Sequence, residues 1–532
     1  MTDPRPDDLA DPDTTALTGA ALTDEALTSG ALAASRTVVF GGGVAGLSAA
    51  RFFRDIGGHV RVVEDREATA RAVAEQGIAT LGTAELSATA DWTSGVDLVI
   101  TSPGLRPTHP LLRAAAQAGV PVWGEVELAW RIDRAGVLGP PRTWLVITGT
   151  NGKTTTTSMT EAIMSQVAET VACGNIGLPP LDALRREPRV EVLAVEASSF
   201  QLYWAPSVRP AAGVVLNIAE DHLDWHQTMA GYTAAKARAL TGDVAIIGAD
   251  DEAAAALAAA SPAPTVVRLC SDRPRDGEIG VIDGVIVDRA FDDGGEPVPL
   301  VATEKIRPAG PPGLHDALAA AALARAAGAS ASAVEAGLAG FHPGAHRGQV
   351  VAVVDGVSFL DDSKATNPHA ALASILAHPR SVLVAGGQLK GAAVDELIVS
   401  TRDRVAAAVV LGVDRQEILD ALARHAPEVP TVTVFTGDDG RVIVSSAQDH
   451  PSATDAAAVT RVSIDVATPP ESSPDAVMAA AVTAADRLAR LDGENPVVLL
   501  APAAASLDMF SGYGHRGDSF ARAAAALHER RS

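Results

Sequence analysis

The chain has 532 residues, of which 47% are hydrophobic and 20% are charged, and its formal net charge is −23. The length is enough for three or four domains, and the composition is typical of a globular protein rather than a disordered one. The acidic balance argues against nucleic acid as a partner, because nucleic-acid-binding proteins present a basic surface. No apolar run reaches the roughly 20 residues that span a bilayer, so we expect no membrane association.

The start of the chain and the cysteine usage indicate a cytoplasmic protein. The first residues, MTDPRPDDLADPD, lack the basic and apolar regions of a secretory signal peptide. The two cysteines, Cys173 and Cys270, are far apart and match neither a disulfide framework nor a zinc-binding pattern. This usage fits a reducing compartment.

Successive series of strand and helix patterns predict an α/β protein with three domains. Residues 1–34 are expected to form a flexible tail. The segments TVVF, VRVVED and VDLVITSPG predict the parallel strands of a Rossmann-like domain at 35–137. TWLVIT, VEVLAVE, AAGVVLN and VAIIGA predict the parallel sheet of a central P-loop domain at 138–342. SVLVAGG, AAAVVLG, TVTVF and PVVLLAP predict a second Rossmann-like domain at 343–532, with a polar surface insertion at 437–475.

Lysine is rare in this chain. Only five of the 42 basic residues are lysine, namely Lys153, Lys236, Lys305, Lys364 and Lys390. Lysine differs from arginine because it is a compact charge that can lose its proton. The five positions are therefore candidates for sites where arginine would fail chemically.

A glycine-rich loop follows the strand TWLVIT and opens a helix. Its glycines let backbone N–H groups approach phosphate oxygens, its lysine neutralises phosphate charge, and a hydroxyl reaches Mg²⁺. The general pattern has a glycine at the position of Ile147, so this loop is a variant. We predict nucleoside triphosphate binding by Gly149, Thr150, Asn151, Gly152, Lys153, Thr154 and Thr155.

A second glycine-rich turn follows the first strand. Gly41, Gly43 and Gly46 fit G-x-G-x-x-G, and the acidic Glu64 comes about 20 residues later, which is a dinucleotide-type pattern. This pattern is compatible with binding of NAD, FAD or another nucleotide diphosphate. It is also compatible with a tight turn that binds no ligand. A UDP-linked substrate here and ATP at Lys153 would together indicate an enzyme that modifies a nucleotide-linked molecule.

Polar residues at strand ends of the central domain are candidates for a metal site. Asn175, Glu196 and His222 each lie at or just after a predicted strand, where open parallel sheets bind ligands. Thr154 and Glu196 supply the hard oxygen ligands that Mg²⁺ prefers. Lys236 lies in the helical segment YTAAKARAL, either as an exposed cation or as a neutral amine that adds CO₂ and becomes a carbamate ligand.

The third domain carries further candidates. Arg347 follows the domain junction, where it can swing onto a γ-phosphate when domains close. Lys364, Thr366, Lys390 and Ser506 lie near predicted strand ends. Each alone fits an exposed polar residue, whereas two lysines, a threonine and a serine converging together would bind a dicarboxylate. Of the five lysines, only Lys305 lies outside a candidate motif.

These motifs together resemble those of the Mur ligases, which build the peptide of the bacterial cell wall. The likeness extends over residues 36–532 in the order of that family, and it is carried by TGTNGKTT, GNIG, EASSFQL, NIAEDHLD, YTAAK, AHR, DDSKATN, GGQLKG and SLDMF. The DSKATN and SLDMF segments are most similar to those of the member that adds D-glutamate. The resemblance implies that the three domains bind a UDP-linked substrate, ATP and an amino acid, in that order, in a monomeric enzyme.

The implied reaction is an ATP-dependent amide ligation. ATP would phosphorylate the L-alanyl carboxylate of UDP-N-acetylmuramoyl-L-alanine, and the amine of D-glutamate would attack the acyl phosphate. The resemblance assigns catalysis to Lys153, Glu196, His222, Lys236 and Lys364. It assigns two Mg²⁺ ions to Thr154, Glu196, His222 and carbamylated Lys236, and closure over ATP to Arg347 and Asp362. The UDP substrate would contact Gly41, Gly43, Ala45, Gly46, Glu64, Asp65, Gly104 and Asn175, and D-glutamate would contact Lys364, Thr366, Lys390, Ser506 and Tyr513.

Four positions in three segments depart from the family pattern. Ala45 stands where a threonine or serine is common, which removes a hydroxyl contact to the UDP phosphates. Asp316 and Ala319 replace the asparagines of a GxHNxxN segment that contacts adenine. Tyr513 stands in place of a phenylalanine near the D-glutamate site.

Three other functions remain open from the sequence. A sibling ligase, or a folylpolyglutamate-type ligase, would add another amino acid by the same chemistry. A nicotinamide or flavin oxidoreductase would use the first glycine turn but leaves the phosphate loop and four motif lysines unexplained. A regulatory P-loop NTPase would release phosphate without any amino acid.

Overall fold

The structure is a computed structural model that describes residues 27–291, 296–437, 442–446, 473–493 and 496–531. It contains three sheets, each built from a different part of the chain. The segment up to Arg307 together with Gly313–Phe341 forms one compact unit, and Pro308–Pro312 with the segment from His342 onwards forms a second. Among the described residues, no helix combines the length and the apolar character needed to span a membrane.

The first sheet belongs to the first unit and has five parallel strands in the order β3-β2-β1-β4-β5. Its strands are β1 Arg36–Phe40, β2 His59–Val63, β3 Ala79–Leu81, β4 Leu98–Thr101 and β5 Val122–Gly124. Its helices are α1 Ser29–Ala34, α2 Val44–Asp55, α3 Glu67–Ala74, α4 Thr83–Ala88, α5 Pro110–Gln117 and α6 Glu125–Arg134. The strand order reverses beside β1, which is where open α/β sheets form their ligand crevice.

The second sheet, also in the first unit, has nine strands in the order β14-β13-β12-β11-β10-β9-β6-β8-β7. Its strands are β6 Thr143–Thr148, β7 Thr170–Gly174, β8 Val192–Glu196, β9 Ala212–Val215, β10 Val244–Gly248, β11 Thr265–Leu269, β12 Glu278–Ile282, β13 Val285–Asp288 and β14 Val298–Ala302. Its helices are α7 Lys153–Met164, α8 Pro180–Ala183, α9 Ser199–Tyr203, α10 Leu223–His226, α11 Met229–Ala237, α12 Glu252–Ala255, α13 Pro311–Ala326 and α14 Ala331–Ala339. The strands β6 to β12 are parallel, as predicted for the four that contain TWLVIT, VEVLAVE, AAGVVLN and VAIIGA, whereas β13 is antiparallel to both of its neighbours.

The third sheet forms the second unit and has the order β15-β16-β21-β17-β18-β19-β20. Its strands are β15 Gln349–Val354, β16 Val357–Asp361, β17 Ser381–Gly386, β18 Val405–Leu411, β19 Thr431–Thr436, β20 Val442–Ser446 and β21 Val497–Leu500. Its helices are α15 Pro368–Leu376, α16 Asp395–Thr401, α17 Arg415–His425, α18 Pro474–Asp492 and α19 Tyr513–Arg531. The inner strands are parallel, and β15 and β20 pair with them as antiparallel edge strands. The predicted α/β class with three sheets is confirmed.

The packing is continuous across the predicted boundary at 137/138. Trp130 and Trp144 lie on either side of this boundary and pack edge to face with ring centroids 5.4 Å apart. Arg142 is buried and its Nη1 donates to Asp133 Oδ1 over 2.9 Å. The first two sheets therefore share one hydrophobic core.

The structure describes only parts of the predicted tail at 1–34 and of the predicted insertion at 437–475. In the predicted tail, Leu27 and Leu32 are buried and α1 begins after a capping Thr28, so this part packs against the first sheet. Residues 1–26 lie outside the described residues. Within the predicted insertion at 437–475, β20 pairs with β19, and most of the remainder lies outside the described residues.

Candidate active site

The predicted phosphate loop connects β6 to α7. Gly152 has a φ of 84°, and a Cβ atom there would lie 2.3 Å from Asp316 Oδ1, so only glycine fits this turn. Asn217, just beyond β9, holds the loop in place: its Oδ1 accepts from the Asn151 N–H over 2.8 Å, and its carbonyl accepts from the Thr150 N–H over 3.0 Å. Thr154 and Thr155 lie in the first turn of α7. The loop, strand and helix thus have the arrangement that binds phosphate groups.

Two lysines converge on this loop. Lys153 Nζ donates to the carbonyls of Gly149 and Thr150 over 3.0 and 2.8 Å. Lys236 Nζ donates to the same Gly149 carbonyl over 2.6 Å. Burial and the nearby Lys153 charge hold the pKa of Lys236 well below its ordinary range, because the side chain is only 2% exposed. The environment therefore favours a neutral amine at Lys236.

Glu196 ends β8 beside the loop and is almost fully buried. Its Oε1 accepts from Asn175 Nδ2 over 3.0 Å. Its Oε2 is buried and has no hydrogen-bond partner among the described residues. A buried carboxylate oxygen without a partner is costly unless another group binds it, and a divalent cation is such a group.

His222 is the residue that precedes α10. It adopts a left-handed backbone with a φ of 54°. Its ring packs against Phe200 with centroids 4.7 Å apart, and its Nε2 is 3.5 Å from Asp221 Oδ2. Among the described residues, no three His, Cys, Asp or Glu side chains converge as a metal site. The metal ligands predicted from the family resemblance, which include a threonine hydroxyl and a modified lysine, stay a prediction.

The predicted UDP site surrounds the turn after β1. A Cβ atom at Gly41, whose φ is 94°, would lie 2.2 Å from Ser102 Oγ, and one at Gly46 would lie 1.9 Å from the Gly41 carbonyl. Gly43 caps α2, and Ala45 is the second residue of that helix. The turn therefore requires glycine at both tight positions, as the G-x-G-x-x-G pattern predicts.

The two acidic candidates of this site have different partners. The Glu64 carboxylate accepts from the Gly42 N–H over 2.9 Å and also binds Arg66, whose hydrogen bond lowers the pKa of Glu64 to about 2. Asp65 Oδ1 accepts from the Thr83 N–H over 2.7 Å at the start of α4. Glu64 therefore supports the glycine turn directly. That either carboxylate faces uracil stays a prediction.

Gly104 and Asn175 connect the UDP site to the phosphate loop within the first unit. The Gly104 carbonyl accepts from Trp225 Nε1 over 3.0 Å, and Trp225 follows His222 in α10. Asn175 binds Glu196, as described above. A direct hydrogen bond thus joins Asn175 to the candidate metal ligand Glu196, and another joins Gly104 to the helix that follows His222.

In the second unit, the DSKATN segment begins at the end of β16. Asp362 has its pKa raised to about 6 by burial, against the opposing effects of Ser374 and the Arg347 charge. The Lys364 ammonium lies 5.0 Å from the ring centroid of Tyr513. Thr366 follows in the same loop, and its N–H donates to the Lys364 carbonyl over 2.8 Å. Lys364, Thr366 and Tyr513 are therefore brought together.

Lys390 and Ser506 lie on two loops that pair with each other. The backbones of Gln388 and Ala505 exchange hydrogen bonds of 2.8 and 2.9 Å. Ser506 is buried, whereas Lys390 is exposed and has a φ of 55°. Arg347 and Asp362 belong to this second unit, and their binding of ATP stays a prediction.

The structure also gives supporting roles to two residues, Arg516 and Asn217, for which the sequence analysis proposed none. Arg516 is 1% exposed and donates to Ser363 Oγ, the Ser363 carbonyl and the Ala504 carbonyl over 2.9–3.0 Å. It therefore fastens the DSKATN loop to the loop that carries Ser506. Asn217 likewise fastens the phosphate loop to the segment that follows β9. In the sequence, Arg516 stands next to Gly517 in a segment of small residues, which marks a candidate position. No sequence pattern indicated that the Arg516 side chain would be buried.

Comparisons with known proteins agree with this arrangement. The Mur ligase middle domain matches residues 147–274, and the MurD-like N-terminal domain of Mur ligases matches residues 35–124. The crystal structure of MurF ligase from Thermotoga maritima in complex with ADP has a TM-score of 0.51 at 13% identity, covering 89% of this chain and 96% of its own. At this identity the match shows the fold alone.

Two curated relatives are much more similar in sequence. The UDP-N-acetylmuramoylalanine–D-glutamate ligase of Rhodococcus jostii is 55% identical over 493 residues, which are 92% of this chain and 95% of the relative. The enzyme of the same name from Mycolicibacterium vanbaalenii is 51% identical over 490 residues, which are 92% of this chain and 97% of the relative. With such identity over nearly the whole of both sequences, the chain belongs to the Mur ligase family.

Proposed function

We propose that this protein is an ATP-dependent ligase that joins D-glutamate to UDP-N-acetylmuramoyl-L-alanine through an acyl phosphate, in the synthesis of peptidoglycan precursors. The names of the relatives at 51–55% identity support the substrate pair. The observation that carries the proposal is the buried Glu196 Oε2 without a partner, next to a phosphate loop on which Lys153 and Lys236 converge. A buried carboxylate for a metal ion, a cationic Lys153 and a neutral Lys236 that can be carbamylated suit the transfer of a charged phosphoryl group.

The residues of the first unit would bind and orient ATP. Lys153 and the N-terminus of α7 would attract the phosphates. Thr154, Glu196 and His222 would hold Mg²⁺, together with Lys236 as its carbamate. Two Mg²⁺ ions bound there would neutralise charge on the transferring phosphoryl group.

Carbamylation of Lys236 is supported by its surroundings. Its Nζ is buried, faces the ring of Tyr232 at 4.6 Å and shares the Gly149 carbonyl with Lys153. A neutral amine is the form that adds CO₂, and the resulting carbamate would place a negative group opposite Lys153. An exposed lysine would have neither the lowered pKa nor these contacts, so its surroundings would not favour the carbamate.

The residues of the second unit would bind D-glutamate. Lys364 and Lys390 would attract its carboxylates, with the hydroxyls of Thr366 and Ser506 as further donors and the ring of Tyr513 along the substrate chain. The net charge of −23 supports a small-molecule partner rather than nucleic acid. We further propose that the enzyme acts in the cytoplasm as a monomer, and light scattering of the purified protein checks the latter.

Phosphate release tests the proposal. The protein with ATP, Mg²⁺ and UDP-N-acetylmuramoyl-L-alanine is assayed with D-glutamate, L-glutamate, L-alanine, L-lysine or diaminopimelate. We expect release that requires D-glutamate. Release with another amino acid would make this a sibling ligase, and release that ignores every amino acid would favour a regulatory NTPase.

A further inference from the structure

A pair formed by a partly buried histidine and a buried aspartate lies in the second unit beside the residues proposed to bind D-glutamate. His346 Nδ1 is 2.7 Å from Asp361 Oδ2, and Asp361 is fully buried at the end of β16. The other carboxylate oxygen of Asp361 accepts from the Ser363 N–H over 2.9 Å. Because an ionised carboxylate only accepts hydrogen bonds, the histidine proton resides on Nδ1. When the ring carries a single proton, Nε2 is therefore the nitrogen with the available lone pair.

The local backbone is adapted to this pair. His346 has a φ of 65°, a left-handed conformation that is unfavourable for residues other than glycine. A Cβ atom at Gly517 would lie 2.2 Å from His346 Nδ1 and 2.6 Å from Asp361 Oδ2. Only glycine at 517 leaves room for the pair. Strain at one residue and an obligatory glycine at another are typical of a functional site rather than of ordinary packing.

The pair adjoins the proposed amino-acid site. The His346 carbonyl accepts from the Lys364 N–H over 3.3 Å, and its ring packs edge to face with Tyr513 at 6.4 Å. His346 Nε2 lies 3.7 Å from Asp518 Oδ1, which is too long for a direct hydrogen bond. A basic nitrogen and a carboxylate oxygen at this separation form an acceptor pair that fits a substrate ammonium group.

We propose that His346 is the base that deprotonates the amine of the incoming amino acid, that Asp361 positions its ring, and that Asp518 binds the ammonium group before deprotonation. This inference rests on the proposed ligase function and extends it. Lys364 and Lys390 would attract the two carboxylates of the same substrate, so its ammonium group and both carboxylates would have partners of opposite sign.

The proton transfers balance over the reaction. His346 Nε2 takes one proton from the ammonium group, which leaves a neutral amine with a lone pair. The amine nitrogen forms a C–N bond to the acyl-phosphate carbon, and the C–O bond to phosphate then breaks with its electron pair. Phosphate leaves with the second nitrogen proton as hydrogen phosphate, and the imidazolium returns its proton to solvent.

Replacing the amino acid by hydroxylamine separates this role from a structural one. Hydroxylamine is largely unprotonated at neutral pH, so its attack on the acyl phosphate needs no base to remove a first proton. The full-length wild-type protein and the His346→Gln variant are each given ATP, Mg²⁺, UDP-N-acetylmuramoyl-L-alanine and either D-glutamate or hydroxylamine. Glutamine can still donate to Asp361 but has no basic nitrogen. His528→Gln, which alters an exposed histidine of the same unit, is the matched control.

For His346→Gln we expect ligation of D-glutamate to fall about 100-fold, while hydroxamate formation stays within about twofold of wild type. Equal loss of both products, or loss of neither, would overturn the role of His346. A wild-type protein that makes neither product would overturn the proposed function and this inference with it.

Asp518→Asn is a second variant that does not depend on the packing of His346 and Asp361, because Asp518 is exposed. We expect it to raise the KM for D-glutamate with little effect on hydroxamate formation. An unchanged KM for D-glutamate would contradict the ammonium site.

Discussion

Glu125 carries a buried carboxyl group that makes the stability of the first unit depend on pH. It is 2% exposed at the start of α6, where its Oε1 accepts from the Leu181 N–H over 2.7 Å. Its Oε2 has no hydrogen-bond partner among the described residues. Burial, reinforced by the charge of Asp182, raises the pKa of Glu125 from 4.5 to about 8. The carboxyl is therefore protonated in the folded protein at neutral pH.

The direction of the effect follows from proton uptake. Between pH 4.5 and 8 the folded protein keeps a proton that the unfolded chain has lost, so the free energy of unfolding falls as the pH rises. The slope is about 1.4 kcal/mol per pH unit, and the total over the interval is roughly 5 kcal/mol as an upper bound. Above the folded pKa both states are ionised and the dependence ends.

Glu125→Gln removes the titration and keeps an acceptor for the Leu181 N–H. We expect the unfolding free energy of wild type, relative to this variant, to fall steadily from pH 5 to pH 8. Urea unfolding followed by tryptophan fluorescence measures it, because Trp123, Trp130 and Trp144 lie in the same core. Glu75→Gln, at an exposed position, is the control. Parallel curves for wild type and Glu125→Gln would refute the reasoning.

The remaining predictions concern the proposed site and its support. Lys153→Ala should abolish phosphate release while far-UV circular dichroism stays unchanged, and near-normal turnover would exclude its role at the phosphates. Lys236→Ala should be nearly inactive but partly restored by added formate or acetate, because a small carboxylate can replace a carbamate; no recovery of either rate or Mg²⁺ affinity would count against carbamylation. Arg516→Lys should raise the KM for D-glutamate at least about tenfold and lower the melting temperature of the second unit, since one ammonium cannot replace hydrogen bonds to two loops. Arg142→Met should destabilise the first unit by about 2–4 kcal/mol, measured by urea unfolding, because buried Asp133 keeps Arg134 but loses its buried arginine, and the Val190 and Leu184 carbonyls lose their donor.

Much of the fold was predictable because buried parallel strands are continuous apolar runs. TWLVIT and SVLVAGG correspond to β6 and β17, and the loops after such strands carry the motifs. The hairpins β12–β13 and β15–β16 were missed, although each turns at an Asp-Gly pair. Asp283 and Gly284 have φ values of 50° and 76°, and Asp355 and Gly356 have values of 47° and 87°. This is a hairpin signal that the sequence analysis did not use.

The candidate site was predictable only where one short segment carries the chemistry. The phosphate loop and EASSFQL are such segments. The pairing of His346 with Asp361, and that of Arg516 with Ser363 and Ala504, join residues 12 to 153 positions apart. Burial of a charged side chain depends on acceptors from distant loops, which no local pattern reveals.

The central claim is that ATP activates the L-alanyl carboxylate as an acyl phosphate, and oxygen transfer tests it most directly. The ligation is run with UDP-N-acetylmuramoyl-L-alanine labelled with ¹⁸O in its carboxylate, and the released phosphate is examined by ³¹P NMR. We predict that each phosphate carries one ¹⁸O atom from the substrate. Phosphate that carries only oxygen from ATP and water would contradict the account, because it would mean that ATP is hydrolysed without forming the acyl phosphate.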